Sequence, residues 1–274
     1  RPLRTLDTLT FGPGTRVLVR ADLNVPLRDG AVSDDTRIRA VLPTLRELLI
    51  RRSRVMLISH LGRPKGPDPA ASLRPVAGRL ESLLGSRVGF GEATAANLPP
   101  DGGVLLLENL RFHKEEEAND AAFAKALAGL ADVFVQDAFG TVHRAHASTT
   151  GVPAYLKAAG LPVVAGRLVE KEVKFLGMLL ESPARPYVAV LGGAKVSDKV
   201  QLVERLVERV DRLLIGGAMA YTFMKAQGLD VDSSRVDVPG VAAAKAALVA
   251  AKVRGVPILL PVDDVEGRDI GPES

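Results

Sequence analysis

The chain of 274 residues contains no cysteine and no tryptophan, and aromatic residues make up 4% of it. Without thiols there is no disulfide framework, no thiolate metal site and no cysteine nucleophile, an absence that suits the reducing cytoplasm. Few aromatic rings means few platforms on which unpaired bases could stack, so the dispersed net charge of +4 does not point to nucleic acid. Long apolar runs are missing too. The uncharged stretch 213–224 is well short of the roughly 18 residues that a membrane span needs, and Gly216 and Gly217 interrupt it. The first residues, Arg1-Pro2-Leu3-Arg4-Thr5-Leu6-Asp7, lack the apolar centre of a secretory leader. No Gly-x-Ser-x-Gly elbow is present, and His143 and His146 match no zinc-ligand spacing, which disfavours serine hydrolases and zinc enzymes. The expectation is a cytoplasmic protein with neither a membrane nor a nucleic-acid partner. An isoelectric point near 9.4 suits a small anionic substrate instead.

What is present is ordinary globular material, 47% hydrophobic and 25% charged, long enough for two cores. Strand-like and helix-like segments alternate almost throughout, the sequence form of an α/β protein with a doubly wound parallel sheet. Strands are predicted over 16–20, 54–59, 104–107 and 133–136, and helices over 73–84 and 120–130. A further helix should follow a cap at Asp34 or Asp35, with Ile38, Val41, Leu42, Leu45, Leu48 and Leu49 as its buried stripe. The pattern loosens over 151–162, and an amphipathic helix over 167–180 then reads as a connector. Alternation resumes with strands over 187–191, 212–215 and 257–260 and helices after 199, from about 218, and over 241–252. These boundaries predict an amino-terminal lobe over 1–166, a hinge over 167–185 and a second, incomplete lobe over 186–274.

Between the 187–191 strand and its helix lies Gly192-Gly193-Ala194-Lys195-Val196-Ser197-Asp198-Lys199. Glycines let backbone approach an anion, a following helix offers unpaired N–H groups, and two lysines four apart add positive charge. The pattern predicts a phosphate seat, although taken alone it reads equally well as an ordinary strand-to-helix turn with Lys199 a solvated helix residue. It lacks the Lys-Ser/Thr pair of a P-loop, so an ordinary P-loop NTPase is disfavoured.

Ligands of open parallel sheets sit beyond the carboxyl ends of the strands. Those ends read Arg20-Ala21-Asp22-Leu23-Asn24, Ser59-His60-Leu61-Gly62-Arg63-Pro64, Glu108-Asn109-Leu110-Arg111-Phe112-His113 and Asp137-Ala138-Phe139-Gly140-Thr141-Val142-His143-Arg144. Any one of these residues alone reads more readily as a solvated charge, a turn cap or a satisfied loop residue than as a ligand. Together they bring arginine, histidine, asparagine and acid to one edge, which fits a phosphorylated or carboxylated metabolite.

In these segments, and in Gly216-Gly217-Ala218-Met219-Ala220-Tyr221-Thr222-Phe223, the chain resembles the phosphoglycerate kinase family, motif by motif and in order. The resemblance implies two Rossmann-like lobes joined by a hinge helix, and reversible phosphoryl transfer between 1,3-bisphosphoglycerate and ADP in glycolysis. It implies that Asp22, Asn24, Arg37, His60, Arg63, Arg111 and Arg144 bind 3-phosphoglycerate, and that Gly192, Gly193, Ala194, Lys195, Lys199, Gly216 and Gly217 line an ATP/ADP site. Arg37 and Lys195 are the implied catalytic pair. Magnesium would come with the nucleotide, with Asp198 the nearest carboxylate, and a monomer is the family's expected state. The family pattern continues with a Trp-Asn-Gly-Pro segment and a Gly-Gly-Gly-Asp-Ser/Thr loop that this sequence does not contain. Asp269-Ile270-Gly271-Pro272 resembles a further motif, with 263–268 before it abridged. A second expectation follows from this departure, a chain that binds 3-phosphoglycerate without transferring phosphate.

Overall fold

The computed structural model describes residues 2–94 and 97–263; the motif at Asp269 lies outside them. The chain falls into two compact units, Arg1–Gly177 and Met178–Ser274.

Unit 1 begins with strand β1 (Arg16–Ala21), a hairpin of β2 (Leu27–Arg28) and β3 (Ala31–Val32), and helix α1 (Thr36–Ile50). It continues through β4 (Arg54–Ile58), α2 (Arg74–Leu84), β5 (Val88–Phe90), β6 (Val104–Leu106), α3 (Lys114–Glu117), α4 (Ala121–Ala128), β7 (Val133–Asp137), α5 (Val152–Ala158) and β8 (Val163–Ala165). Helix α6 (Arg167–Glu181) carries the chain out of it. Six strands form one parallel sheet in the order β5-β6-β4-β1-β7-β8.

Side chains alternate across a strand, so the sheet makes two cores. Val17, Val19, Val55, Leu57, Val133 and Val135 pack with the α1 stripe of Ile38, Val41, Leu45 and Leu48 and with Val76 and Leu80 of α2. Leu18, Met56, Ile58, Leu105 and Phe134 point the other way, against Ala124 and Leu127 of α4 and Val152 and Leu156 of α5. Burial on both faces is why these strands read as continuous apolar runs.

Two local expectations are refined. Asp34, not Asp35, accepts the Thr36 N–H at 2.8 Å. The Asp35 carboxylate instead takes Arg39 and Arg79 at 2.8 and 2.6 Å and so ties α1 to α2. The segment 151–162 is not loose. A π-helical turn over Ala147–Gly151 leads into α5, and the Gly and Pro punctuation marks its ends rather than a loop.

Unit 2 contains β9 (Val188–Gly192), α7 (Val200–Val207), β10 (Arg212–Gly216), α8 (Ala218–Ala226), α9 (Val241–Arg254) and β11 (Ile258–Leu259). Its parallel sheet has the order β11-β10-β9. Leu213 and Ile215 pack with Val203, Val207, Met219, Phe223, Ala244 and Ala247, and Ala189 and Leu191 join from β9. Alternation sends Val188 and Val190 to the other face of β9, where Val190 is 76% exposed. Helices thus cover one face of this sheet among the described residues.

Candidate active site

Strands β6, β4, β1 and β7 are neighbours in the sheet, so the four strand ends singled out in the sequence lie side by side. The chain moves from β1 to β4 on one side and later crosses to β7 on the other, which puts a topological switch point beside β1.

Short polar side chains lace these ends together. Leu23 N donates to Ser59 Oγ at 2.9 Å, and Gly62 N to Asn24 Oδ1 at 2.8 Å, joining the β1 and β4 loops. Fully buried Asn109 does the same for β4 and β6. Its Oδ1 accepts from Leu61 N and Arg111 N at 3.2 and 3.1 Å, and its Nδ2 donates to Leu61 O and Ala71 O at 2.7 and 2.9 Å. All four hydrogen-bonding valences of Asn109 are therefore filled. Glu108 turns away to Leu73 N and Ser72 Oγ at the start of α2.

On this frame sit the charges. Arg37, from the first turn of α1, donates through Nη1 to both Asp22 oxygens at 3.0 and 2.9 Å. Asp22 also accepts Asn24 N at 3.2 Å. Arg111 donates through Nη1 to Gly62 O at 2.6 Å and is nearly buried, with Glu117 3.4 Å from its Nε. Burial holds its pKa below the usual arginine range, and Arg144 and Arg63 push the same way. His60, also buried, is pushed down to about 2 by burial and then by Arg20, Arg111, Arg144 and Arg37. A histidine in such company stays neutral. All seven predicted residues, Asp22, Asn24, Arg37, His60, Arg63, Arg111 and Arg144, thus come together at one edge.

Sequence reasoning placed Arg20 at the open edge and gave Glu116 and Ser148 no role, whereas all three are buried beneath this edge. Arg20 was visible as a charge closing an apolar strand. Glu116 carried no sequence sign, since it is one acid in the run Glu115-Glu116-Glu117 and only folding buries it.

Asp137 also belongs to the frame rather than to the open edge. Its Oδ1 accepts Leu168 N and Val169 N at 3.0 and 3.2 Å, capping α6 from outside, while its Oδ2 is buried without a partner. A side chain on Gly166 would overlap this carboxylate. Burial raises the Asp137 pKa from 3.8 to about 6, against the lowering by Thr44, Val169 and Leu168. A raised carboxylate contributes stability that is full below pH 3.8 and is lost as pH rises through about 6. That gap corresponds to roughly 3 kcal/mol. The expected result is that Asp137→Asn removes this loss. Urea unfolding at pH 4.5 and 7 should then differ between variant and parent in its pH dependence, and identical dependence would overturn the assignment.

In unit 2 the ends of β9 and β10 pair Gly192 with Gly216. Gly193 has φ 142°, and a Cβ there would lie 2.6 Å from Lys199 Nζ. Gly217 has φ 62°, and its Cβ would stand 3.4 Å from Gly193 N. Two glycine turns therefore touch backbone to backbone, a packing other residues would prevent. Lys199 Nζ donates to Gly192 O at 2.9 Å and Met219 N to Gly193 O at 2.7 Å.

The expected phosphate seat is modified in one respect. A 3-10 turn over Ser197–Lys199 comes before α7, and Ser197 N is already taken by Asp237 Oδ2 at 2.8 Å. Asp237, from a distant loop, is the carboxylate that engages this turn and sits near Lys195. Asp198 is exposed. Among the described residues no group of three or more His, Asp or Glu is placed to hold a metal ion. Magnesium fits this donor set only as a companion of nucleotide phosphates.

Comparison with known proteins agrees with this geometry. The family model for phosphoglycerate kinase matches residues 8–273. The phosphoglycerate kinase of Synechococcus elongatus is 50% identical over 282 residues, covering 99% of this chain and 69% of the relative. That of Gloeobacter violaceus is 53% identical over 268 residues, covering 91% and 65%. Among solved structures, phosphoglycerate kinase from Coxiella burnetii superposes with a TM-score of 0.82 at 40% identity, covering 95% of this chain and 66% of that one. The enzyme from Pyrococcus horikoshii gives 0.81 at 32%, covering 95% and 67%. The chain spans 65–69% of the length of these two curated relatives. With the strand-end cluster, the paired glycine turns and a match over nearly the whole sequence, the chain belongs to the phosphoglycerate kinase family, a family of phosphotransferases.

Proposed function

We propose that the chain works in the glycolytic reaction of its family, the reversible transfer of a phosphoryl group between 1,3-bisphosphoglycerate and ADP, with unit 1 holding phosphoglycerate and unit 2 the nucleotide. The observation that carries this reading is the gathering of Asp22, Asn24, Arg37, His60, Arg63, Arg111 and Arg144 at the adjoining ends of β6, β4, β1 and β7. Phosphoglycerate has a carboxylate or acyl phosphate at one end, a phosphate at the other and a hydroxyl between. Arginine forks suit both ends, Asp22 can accept from the hydroxyl, and neutral His60 can donate a hydrogen bond without adding charge.

Direct transfer asks the protein for alignment and for charge opposite the equatorial oxygens, with no protein nucleophile. Arg37 in unit 1 and Lys195 in unit 2 would each supply that charge. Gly192, Gly193, Ala194, Gly216, Gly217 and Lys199 would line the nucleotide. Magnesium, bound with ATP or ADP, supplies further neutralisation of the phosphates. The connecting segment 167–185, mostly α6, would act as the hinge, and small-angle scattering should show a smaller radius of gyration with both ligands than with neither. The protein is proposed to be monomeric and cytoplasmic. Among the described residues no helix is long and apolar enough to cross a membrane.

Calorimetric titration of the folded chain with 3-phosphoglycerate tests the reading. Saturation near one equivalent is expected, and no heat from a folded sample would overturn it. A second reading, binding without transfer, is favoured by the face of the unit 2 sheet that no helix covers among the described residues. A coupled assay separates the two, since turnover is expected only of the first.

A further inference from the structure

Glu116 of α3 and Ser148 are buried below the strand-end cluster, and both reach it through Arg20. Glu116 Oε1 accepts the Ser148 hydroxyl at 2.5 Å, and its Oε2 accepts Ser148 N at 3.0 Å. The Ser148 oxygen, its own O–H turned to Glu116, accepts Arg20 Nε at 2.9 Å. Arg20 Nη1 donates to Ala21 O, and its Nη2 stands 3.1 Å from His60 Nδ1. A guanidinium can only donate, so Nδ1 must be the acceptor and the ring proton must sit on Nε2. Arg20 is therefore the donor to both sides, through Ser148 to Glu116 on one and to His60 on the other, with every member of the series buried. Glu116 carries the negative charge that Arg20 needs, because burial lowers the arginine's pKa to about 10 while Glu116 and then Asp22 raise it.

We propose that Glu116 and Ser148 are positioning residues which, acting through Arg20, keep the Nδ1 lone pair of the neutral His60 ring turned inward, so that Nε2–H is what His60 offers to a bound anion. The proposal rests on the reading of unit 1 as the phosphoglycerate site. The charged groups that act most strongly on His60 are cationic: Arg20 from β1, Arg111 after β6, Arg144 after β7 and Arg37 from α1. The carboxylates Glu116 and Asp22 act on Arg20. A second proton on His60 would face those four cations and displace Arg20. Neutral His60 lets the site bind an anion without taking up a proton there.

Ser148→Ala breaks the series at its centre. Glu116 is then free to draw the Arg20 guanidinium to itself, and His60 Nδ1 loses its donor. Histidine NMR on the ring-labelled chain between about pH 5 and 8 reads the outcome. The chain has four histidines, and the His60 signal is the one lost in His60→Gln. In the unmodified chain it should stay flat, with long-range proton–nitrogen couplings showing a proton on Nε2. In Ser148→Ala, with burial and the arginines still acting, it should stay flat, and the couplings should instead show the ring proton shared between Nδ1 and Nε2. In Ser148→Thr, which keeps the hydroxyl, the proton should stay on Nε2. A His60 that titrates in the unmodified chain, a proton on its Nδ1 there, or an unchanged Nε2 proton in folded Ser148→Ala would each overturn the proposal. A simple packing role for Ser148 would lower stability and leave the ring proton on Nε2. Failure of the chain to bind 3-phosphoglycerate, with the NMR results as expected, would overturn the site reading and not the relay.

Discussion

Arg37→Ala is expected to lower turnover by about two to three orders of magnitude while changing the dissociation constant for 3-phosphoglycerate by less than about threefold, as for loss of a donor used chiefly in the transition state. The structure supports separating the two effects. Arg37 is on the exposed side of α1, its side chain 51% accessible, and its described partner is Asp22. A pair of this kind contributes about 0–1 kcal/mol to stability, so loss of activity should not be loss of fold. Under the proposed function Arg63, Arg111, Arg144 and His60 would remain to hold the substrate in the ground state. Steady-state kinetics and calorimetry on the same preparation check it. Equal losses in turnover and in affinity would make Arg37 an ordinary binding residue.

Arg20→Met should be the most destabilising single change in unit 1, lowering unfolding free energy by about 3–5 kcal/mol, because it strands a buried carboxylate. Arg20 and Glu116 are both about 1% exposed, and Arg20 is the only cation joined to Glu116 through Ser148 among the described residues. Methionine nearly fills the same space, so a cavity is not the cause. Adding Glu116→Gln should recover much of the loss, since removing both charges is often close to neutral where removing one is not. Urea unfolding of the parent, both single variants and the double variant completes the cycle. A cost for Arg20→Met within about 1 kcal/mol, or strict additivity in the double variant, would show that Glu116 does not depend on Arg20.

The elements that were legible in the sequence are those whose pattern is local and long. Strands β1, β4 and β7 are apolar on both faces and bounded by polar residues, and α1, α4 and α9 run for two turns or more. Three elements escaped. β5 contains Gly89, β8 is three residues between Pro162 and Gly166, and α5 has Pro153 as its second residue, inside what read as punctuation. Pairing with β6 and β7 makes these two strands, and no window of their own residues contains that information. Pro43 sits inside α1 without ending it, since the buried stripe on either side outweighs one missing hydrogen bond.

By itself the sequence determined the α/β class, the four polar strand ends, the glycine turn with its two lysines, and the family those motifs belong to. The alternation of short runs and turns encodes them locally, and a side chain that follows an apolar strand falls at the sheet's edge however the sheet is ordered. Only the tertiary structure decided that β6, β4, β1 and β7 are adjacent, that Glu116 and not Glu115 or Glu117 lies buried beneath Arg20, and that Asp237 rather than Asp198 takes the Ser197 amide. Each of those depends on segments far apart in the chain, 32 residues between Glu116 and Ser148 and 128 between Arg20 and Ser148. Burial is a property of everything packed around a group, so the same carboxylate is a solvated charge in the sequence and a buried anchor in the fold.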